Sequence, residues 1–492
     1  MSYEAVPAEN SAFIPDQAKR NIKGWYFYCF SSEPFIVSAV STYVPLLLEQ
    51  FGRINGVKLD DHSLRCEVND DKCVLPMFNG RWFIDTSSFA LYTFSLSVLF
   101  QTLLVISVSG IVDKCQSIAF KKRVLLFFGT VGALATWFIG TLRSDQYYVL
   151  PLLAIVGNCS YGVINVVGNS LLPVFVGFLV GNEDQLEVDI KTSIISGRGA
   201  SYGYFSALIV QLFSILLVKQ SKNHDNLQIA ILFVGLWWLL WQIPIAFLLQ
   251  DIPRDTDQEQ HEFTWANTGN YMEYGWNSLW ESLKHARLLK DVVIFLIGWF
   301  IISDSLTTIN STAILFAKTE LKMTAINLIT LSIITMVMAM LGAVYIPHLL
   351  SERLRLPLQQ VLIIIIIWSS VIPLYGMTGF VFQNIGLKHK FEMYILGVWY
   401  GVSLGGLAAV SRSLFSLLVP RGKESTFFSL FSVTDKGSSI LGPLLIGLIT
   451  DKTHNIRYAF YLLFLFLVVS LPVFHGLDVE RGKREARQLS TM

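Results

Sequence analysis

The chain has 492 residues, of which 53% are hydrophobic and only 15% charged, and its formal net charge is +1. A soluble globular domain carries roughly 25% charged residues, so that class is excluded, and the near-neutral balance gives no basis for nucleic-acid binding. The 13% aromatic share, with Phe 35 and Trp 12, suits lipid-facing surfaces and the aromatic belts at their edges.

Residues 1–23 form a polar tail without the apolar core and cleavage site of a removable signal peptide, so the first span is expected to serve as an uncleaved anchor. Crossing a bilayer takes roughly 20 mostly apolar residues, because a helix rises about 1.5 Å per residue through about 30 Å of hydrocarbon. Stretches that meet this requirement lie at 24–48, 86–111, 124–142, 147–172, 196–218, 228–249, 289–316, 323–349, 358–383, 393–418, 426–449 and 457–476. Every backbone amide inside hydrocarbon must be paired within its own segment, so each stretch is a helix. The expectation is an all-α polytopic membrane protein of about twelve transmembrane helices in two six-helix bundles, 24–249 and 289–476. Between them runs a polar linker, 250–288, acidic at first and ending in a basic, amphipathic Lys284–Lys290 stretch; a polar tail, 477–492, follows the last span.

The loop at 50–85 carries Cys66 and Cys73, whose spacing either closes a small disulfide or leaves two free thiols. Its only other soft ligand is His62, too few for a metal site. Basic residues gather on the side of the N-terminus: Lys19, Arg20, Lys23, Lys114, Lys121, Lys122, Arg123, Lys284, Arg287, Lys290, Arg353, Arg355, Arg421, Lys423 and the tail's Arg481, Lys483, Arg484 and Arg487. That asymmetry predicts both termini in the cytosol (N-in, C-in), although the acidic loop 181–189 breaks the pattern. The Asn-x-Ser/Thr triplets at Asn158 and Asn310 lie inside spans, too deep for glycosylation.

Ionisable side chains inside spans cost at least about 2.5–3.5 kcal/mol each and point to a cavity, a partner or a task. Glu33, nine residues into the first span and followed by Pro34, is either a proton-coupling carboxylate or a permanent ion-pair partner of Arg412 or Lys436. Asp304 lies in a polar run, Ser303–Thr312, that includes Asn310 and is expected to line a cavity. Arg412 has the planar fork for a carboxylate, or else reaches the cytosolic edge of its span. Asp435 and Lys436 are adjacent, so a helix turns them about 100° apart and they are not expected to share one partner. Asn165 and Asn169 share a helix face and serve either interhelical hydrogen bonding or substrate contact. Arg198, nearer the cytosolic end, is expected at a gate or a lipid headgroup.

The halves repeat each other in order. Gly24-Trp25 with Ser32-Glu33 matches Gly298-Trp299 with Ser303-Asp304; Gly162 precedes Asn169 as Gly405 precedes Arg412; and Arg198-Gly-Ala-Ser matches Lys436-Gly-Ser-Ser. Parallel repeats of six spans place a substrate cavity between the halves near mid-membrane. After the second span, Gly110, Asp113 and the run Lys121-Lys122-Arg123 resemble the Gly…Asp…basic signature of the major facilitator superfamily, in which the acid and the bases cap helix ends and hold one gating state. The equivalent after the eighth span keeps Arg353 and Arg355 but has His348 where an acid is expected. No nucleotide loop, metal cluster or nucleophile elbow is visible, so a gradient-driven transporter without a cofactor is expected in preference to an enzyme.

Several segments carry a closer likeness: Asn21-Ile-Lys-Gly-Trp-Tyr, Phe30-Ser-Ser-Glu-Pro-Phe, Gly162-Val-Ile-Asn-Val-Val-Gly-Asn-Ser, Ile195-Ser-Gly-Arg-Gly-Ala-Ser, Lys284-His-Ala-Arg-Leu-Leu-Lys-Asp, Lys423-Glu-Ser-Thr-Phe-Phe-Ser and Thr434-Asp-Lys-Gly-Ser-Ser. Across nearly its whole length the chain resembles the fungal autophagy-related protein 22 family. The resemblance implies a multi-pass protein of the vacuolar membrane that exports amino acids, leucine among them, released when autophagic cargo is degraded. In that setting the Cys66–Cys73 loop faces the lumen, and Glu33, Asp304 and Asp435 are the acids able to couple export to protons. The competing readings are transport of a lysophospholipid or another degradation product by the same fold, and a nutrient sensor or scaffold that does not transport.

Overall fold

The computed structural model describes residues 13–59, 62–66, 73–78, 80–180, 185–220, 226–252, 268–284, 289–438, 441–453 and 455–490. Among them, eleven helical segments are long and apolar enough to cross a membrane. The span expected at 426–449 is described as α14 (Glu424–Ser438) and α15 (Leu441–Thr453), and residues 439–440 between them fall outside the described residues.

The first span is also composite. Helix α1 (Phe13–Pro34) gives way after its proline to a π-helical turn, Phe35–Tyr43, and then to α2 (Val44–Ile54). In the wide turn the Val44 amide donates to the Ala39 carbonyl and the Ser41 hydroxyl donates to the Ile36 carbonyl, 2.7 Å away, both five residues back. Such turns are rare and gather at functional sites.

The 50–85 loop departs from the all-α expectation. It holds a small antiparallel sheet of β1 (Val57–Lys58), β2 (Cys73–Met77) and β3 (Trp82–Asp85), in that order, with Val74 opposite Asp85. A disulfide joins Cys66 to Cys73 at the start of β2. The sheet rests on the turn at 144–148: the Phe78 amide donates to the Tyr148 hydroxyl at 3.1 Å, and the Asn55 side chain donates to the Ser144 carbonyl.

The first bundle continues with α3 (Thr86–Cys115), α4 (Ile118–Ile139), α5 (Val149–Val180), α6 (Gln185–Gln220), α7 (Asn226–Leu240) and α8 (Gln242–Leu248). Helix α1 packs on α5 and α6, while α4 packs on α5 and α7. The second comprises α10 (Lys290–Thr319), α11 (Ala325–Ile346), α12 (Leu358–Thr378), α13 (Lys390–Leu418), α14, α15 and α16 (Ala459–His475), with α11 on α13 and α12 on α16. Two seams join the bundles: α14 lies against α3 and α5, and α6 lies against α11 and α13.

Two elements flank these seams at the end of the molecule that carries both chain termini. In the linker, α9 (Thr268–Lys284) packs along α3, where the backbones of Gly110 and Gly275 touch and the Trp276 indole donates to the Ser107 hydroxyl at 3.1 Å. Of the Lys284–Lys290 stretch read as basic and amphipathic, residues 285–288 fall outside the described residues, while Lys284 closes α9 and Lys290 opens α10. The expected tail is a second helix, α17 (Val479–Ser490), docked on α10 and α13.

Candidate transport cavity and its closed end

Between the bundles, toward the end of the molecule that carries the small sheet, lies a cavity of about 300 Å³. Its two walls differ in chemistry. The first bundle contributes Ile36, Val40 and Ser41 from the π-helical turn and Phe94 from α3; the second contributes Ser303, Thr307, Asp435 and Lys436. Asn158 adds an amide from α5, fixed because its nitrogen donates to Ser97 Oγ and Gln101 Oε1, both at 2.9 Å.

Asp435 and Lys436 both line this cavity. The lysine's long stem swings its Nζ back to 3.8 Å from Asp435 Oδ2, while Ser303 Oγ donates to Asp435 Oδ1 at 2.6 Å. Both side chains keep about a third of their surface open, 31% for Asp435 and 28% for Lys436. The result is a paired positive and negative charge in a cavity whose other wall is mostly apolar, with Ser41 and Asn158 as its polar members.

The other intramembrane candidates divide by location. Glu33 packs against Gly203 on α6 and lies within electrostatic reach of Arg412 and Lys436, yet makes no ion pair or hydrogen bond among the described residues. Arg412 lies over the Trp25 ring, 5.5 Å from its centre, and donates to Asn169 Oδ1 at 3.3 Å; the Asn169 amide in turn donates to Asn165 at 3.0 Å. The repeat-related positions Asn169 and Arg412 therefore meet across the bundle interface. Asp304 is buried and accepts the Gly442 amide of α15 at 2.9 Å, and it is not among the residues that line the cavity. From the polar run it is Ser303 and Thr307, one turn apart, that reach the cavity, while Asn310 is exposed elsewhere.

At the opposite end the bundles close on each other. Asp113, only 2% exposed, accepts the backbone amides of Ser425 at 2.8 Å and Thr426 at 2.6 Å, which caps the N-terminus of α14 from the other bundle. Lys121 Nζ lies 3.9 Å from Glu424, and the Ser425 hydroxyl donates to the Ser170 hydroxyl. Lys122 has a different partner: it donates to the Leu249 carbonyl at the end of α8, within its own bundle. Arg123 makes no ion pair among the described residues. Arg198 is exposed on α6 beside Tyr26 and Tyr202, away from both seams.

At the second seam small residues bring backbones together. A Cβ on Gly197 would strike the Ala343 carbonyl, Ser196 Oγ donates to the Ala409 carbonyl at 2.9 Å, and Ser413 Oγ donates to the Thr192 carbonyl at 3.4 Å. The apolar cavity wall and the small-residue seam were not singled out in the sequence. Pro34 and the small-residue run Ser38–Thr42 after it were the available signal for the wall.

Two helical bundles about a polar cavity, sealed at one end, define a membrane transporter of the major facilitator type. The fold comparison agrees: the Escherichia coli fucose:proton symporter matches with a TM-score of 0.62 over 94% of this chain and 99% of that one, at 13% identity. The proton:xylose symporter XylE matches with a TM-score of 0.65 over 98% and 99%, at 12% identity. In sequence, residues 17–487 match the family described as "Vacuole effluxer Atg22 like". The chain is 61% identical to autophagy-related protein 22 of Vanderwaltozyma polyspora, over 96% of this chain and 94% of that one. It is 60% identical to autophagy-related protein 22 of Saccharomyces cerevisiae, over 100% and 98%. The chain belongs to the Atg22 family; it is a transporter and not an enzyme.

Proposed function

We propose that this chain exports neutral amino acids, leucine among them, from the vacuole lumen to the cytosol, with both termini cytosolic and with proton coupling. The observation that carries the reading is the two-sided cavity. Lys436 offers a cation to the carboxylate of a zwitterion, and Asp435, steadied by Ser303, offers an anion to its ammonium. Ile36, Val40 and Phe94 face that pair and receive an apolar side chain. A volume of about 300 Å³ lies at the small end for ligand sites, which favours an amino acid over a lysophospholipid. With both termini cytosolic, the cavity lies on the lumenal side of the closed seams, the state that loads an exporter.

Glu33 is the acid best placed to carry the proton, since Asp304 is engaged with Gly442 and Asp435 with Ser303 and Lys436. In the cycle, the substrate enters from the lumen, one acid is protonated, the bundles rock about the cavity, and both are released on the cytosolic side. The test is release of preloaded radiolabelled leucine from sealed vacuolar vesicles, with and without this chain, at imposed pH gradients. Chain-dependent release that weakens in Lys436→Gln is expected, and Glu33→Gln should lose its response to the gradient. Release that ignores the chain, for leucine and for a mixed amino-acid pool, overturns the reading.

A further inference from the structure

The C-terminal helix sits between charges of the two bundles. Asp478 caps it, accepting the Arg481 amide at 3.0 Å. Arg481 and Lys483 then leave the helix about 200° apart, at about 100° per residue, and so address opposite sides. Arg481 makes a bidentate contact with Asp291 at the start of α10, with both bonds 2.7 Å, and the Asp478 amide adds a third bond to that carboxylate. Asp291 is fully buried, so this side is a fixed mount on the second bundle. Between them Gly482 lies flat on Leu418, where a Cβ would leave too little room.

Lys483 points the other way. Its Nζ lies 3.0 and 2.9 Å from the two carboxylate oxygens of Asp189 on α6, in the first bundle, with Glu480 at 3.0 Å on the helix itself. Lys483 is 6% exposed and Asp189 8%. A buried pair of this kind holds its geometry, and removing one member strands the other's charge. Asp189 lies only four residues before Ser193, whose hydroxyl is 3.5 Å from Ser351 of the second bundle across the seam. The pair therefore spans the two bundles at the closed end, while the mount moves with the second bundle alone.

We propose that α17 is a latch on this gate: Lys483 and Asp189 are positioning residues that hold the seam of α6 shut, and they must separate each time the termini-bearing end opens. A transporter that alternates needs its closed state to be stable but not permanent. One buried pair on a helix carried by one bundle supplies a bond that breaks as a unit when the bundles part. The proposal does not depend on which molecule is carried.

The test uses the full chain in sealed vesicles, with Cys29, Cys115 and Cys159 replaced by alanine and one reporter thiol added. Ser193→Cys reports the closed seam, labelled by an impermeant maleimide from the termini-bearing side. Ser41→Cys reports the cavity, labelled from the sheet-bearing side. Asp189→Asn, Lys483→Met and removal of residues 479–492 should each raise labelling at position 193 by about tenfold and lower it at position 41, as a population shift requires. The exchange Asp189→Lys with Lys483→Asp should bring both rates back to within about twofold of the parent. Unchanged rates in the single variants, a rise at both positions together, or an exchange that behaves like the single variants would each overturn the latch.

Discussion

The two seams that close the termini-bearing end occupy equivalent places in the two halves, yet their charges run in opposite directions. At the seam of α3 and α14, the end of α3 supplies the acid: Asp113 accepts two amides from the first turn of α14. At the seam of α6 with α11, the segment after α11 supplies the base. Arg355 lies 4.0 Å from Glu187, and the acids belong to the first turns of α6 itself. His348, standing where the repeat calls for an acid, pairs with Glu352 on its own segment. Across this seam among the described residues no carboxylate reaches α6 from the second bundle, and its closure relies on flat backbone contact at Gly197 and on α17. Equivalent positions in a duplicated fold thus reach the same closed state by a directional cap on one side and by shape on the other.

That contrast is testable by substitution. The largest effect is expected at Gly197→Leu, where a side chain meets the Ala343 backbone; overpacking of this kind costs about 1–3 kcal/mol. Transport should fall by about tenfold or more, with seam reporters more accessible; a wild-type rate would show that shape does not hold this seam. Next comes Asp113→Ala, which removes both acceptors from α14 and should shift the closed state by about 0.5–2 kcal/mol, read as faster labelling beside Ser170. Asp113→Asn keeps an acceptor and loses the charge, so it should fall between the wild type and alanine; equality with alanine would assign the whole effect to charge. A smaller shift, a few-fold in the same assay, is expected from Lys121→Ala, since its contact with Glu424 is long at 3.9 Å. Arg355→Ala should be the mildest, at under about 0.5 kcal/mol, because Arg355 is mostly exposed and such pairs contribute little.

Hydropathy made the spans legible because hydrocarbon thickness dictates their length, but it carries no sign of the π-helical turn inside the first span, which changes hydrogen bonding and not hydrophobicity. The repeat matched Asn169 with Arg412 in sequence, and the structure brings the two into contact because equivalent helices face each other across the pseudo-axis. It served less well for Arg198 and Lys436. These positions match in sequence, but one lies on the outer face and the other in the cavity, because facing depends on helix rotation that a short match does not fix. Asp304 shows a second limit: a buried acid serves a ligand or a backbone amide, and the sequence does not say that Gly442 lies within reach. The residues of α17 read as an ordinary basic tail, since nothing local marks Lys483 as the partner of an acid 294 positions away.

The π-helical turn at Phe35–Tyr43 bears on how this chain tolerates insertion and deletion. A wide turn holds surplus backbone relative to an α-helix of the same rise, and hydrogen bonds there already reach five residues back. The first span can therefore change phase locally, turning Ile36 and Val40 relative to Glu33 without unwinding either flank. Loss of one residue inside 35–43 should be absorbed by tightening the turn, whereas the same loss in α5 or α13 would rotate the seam contacts of every residue beyond it.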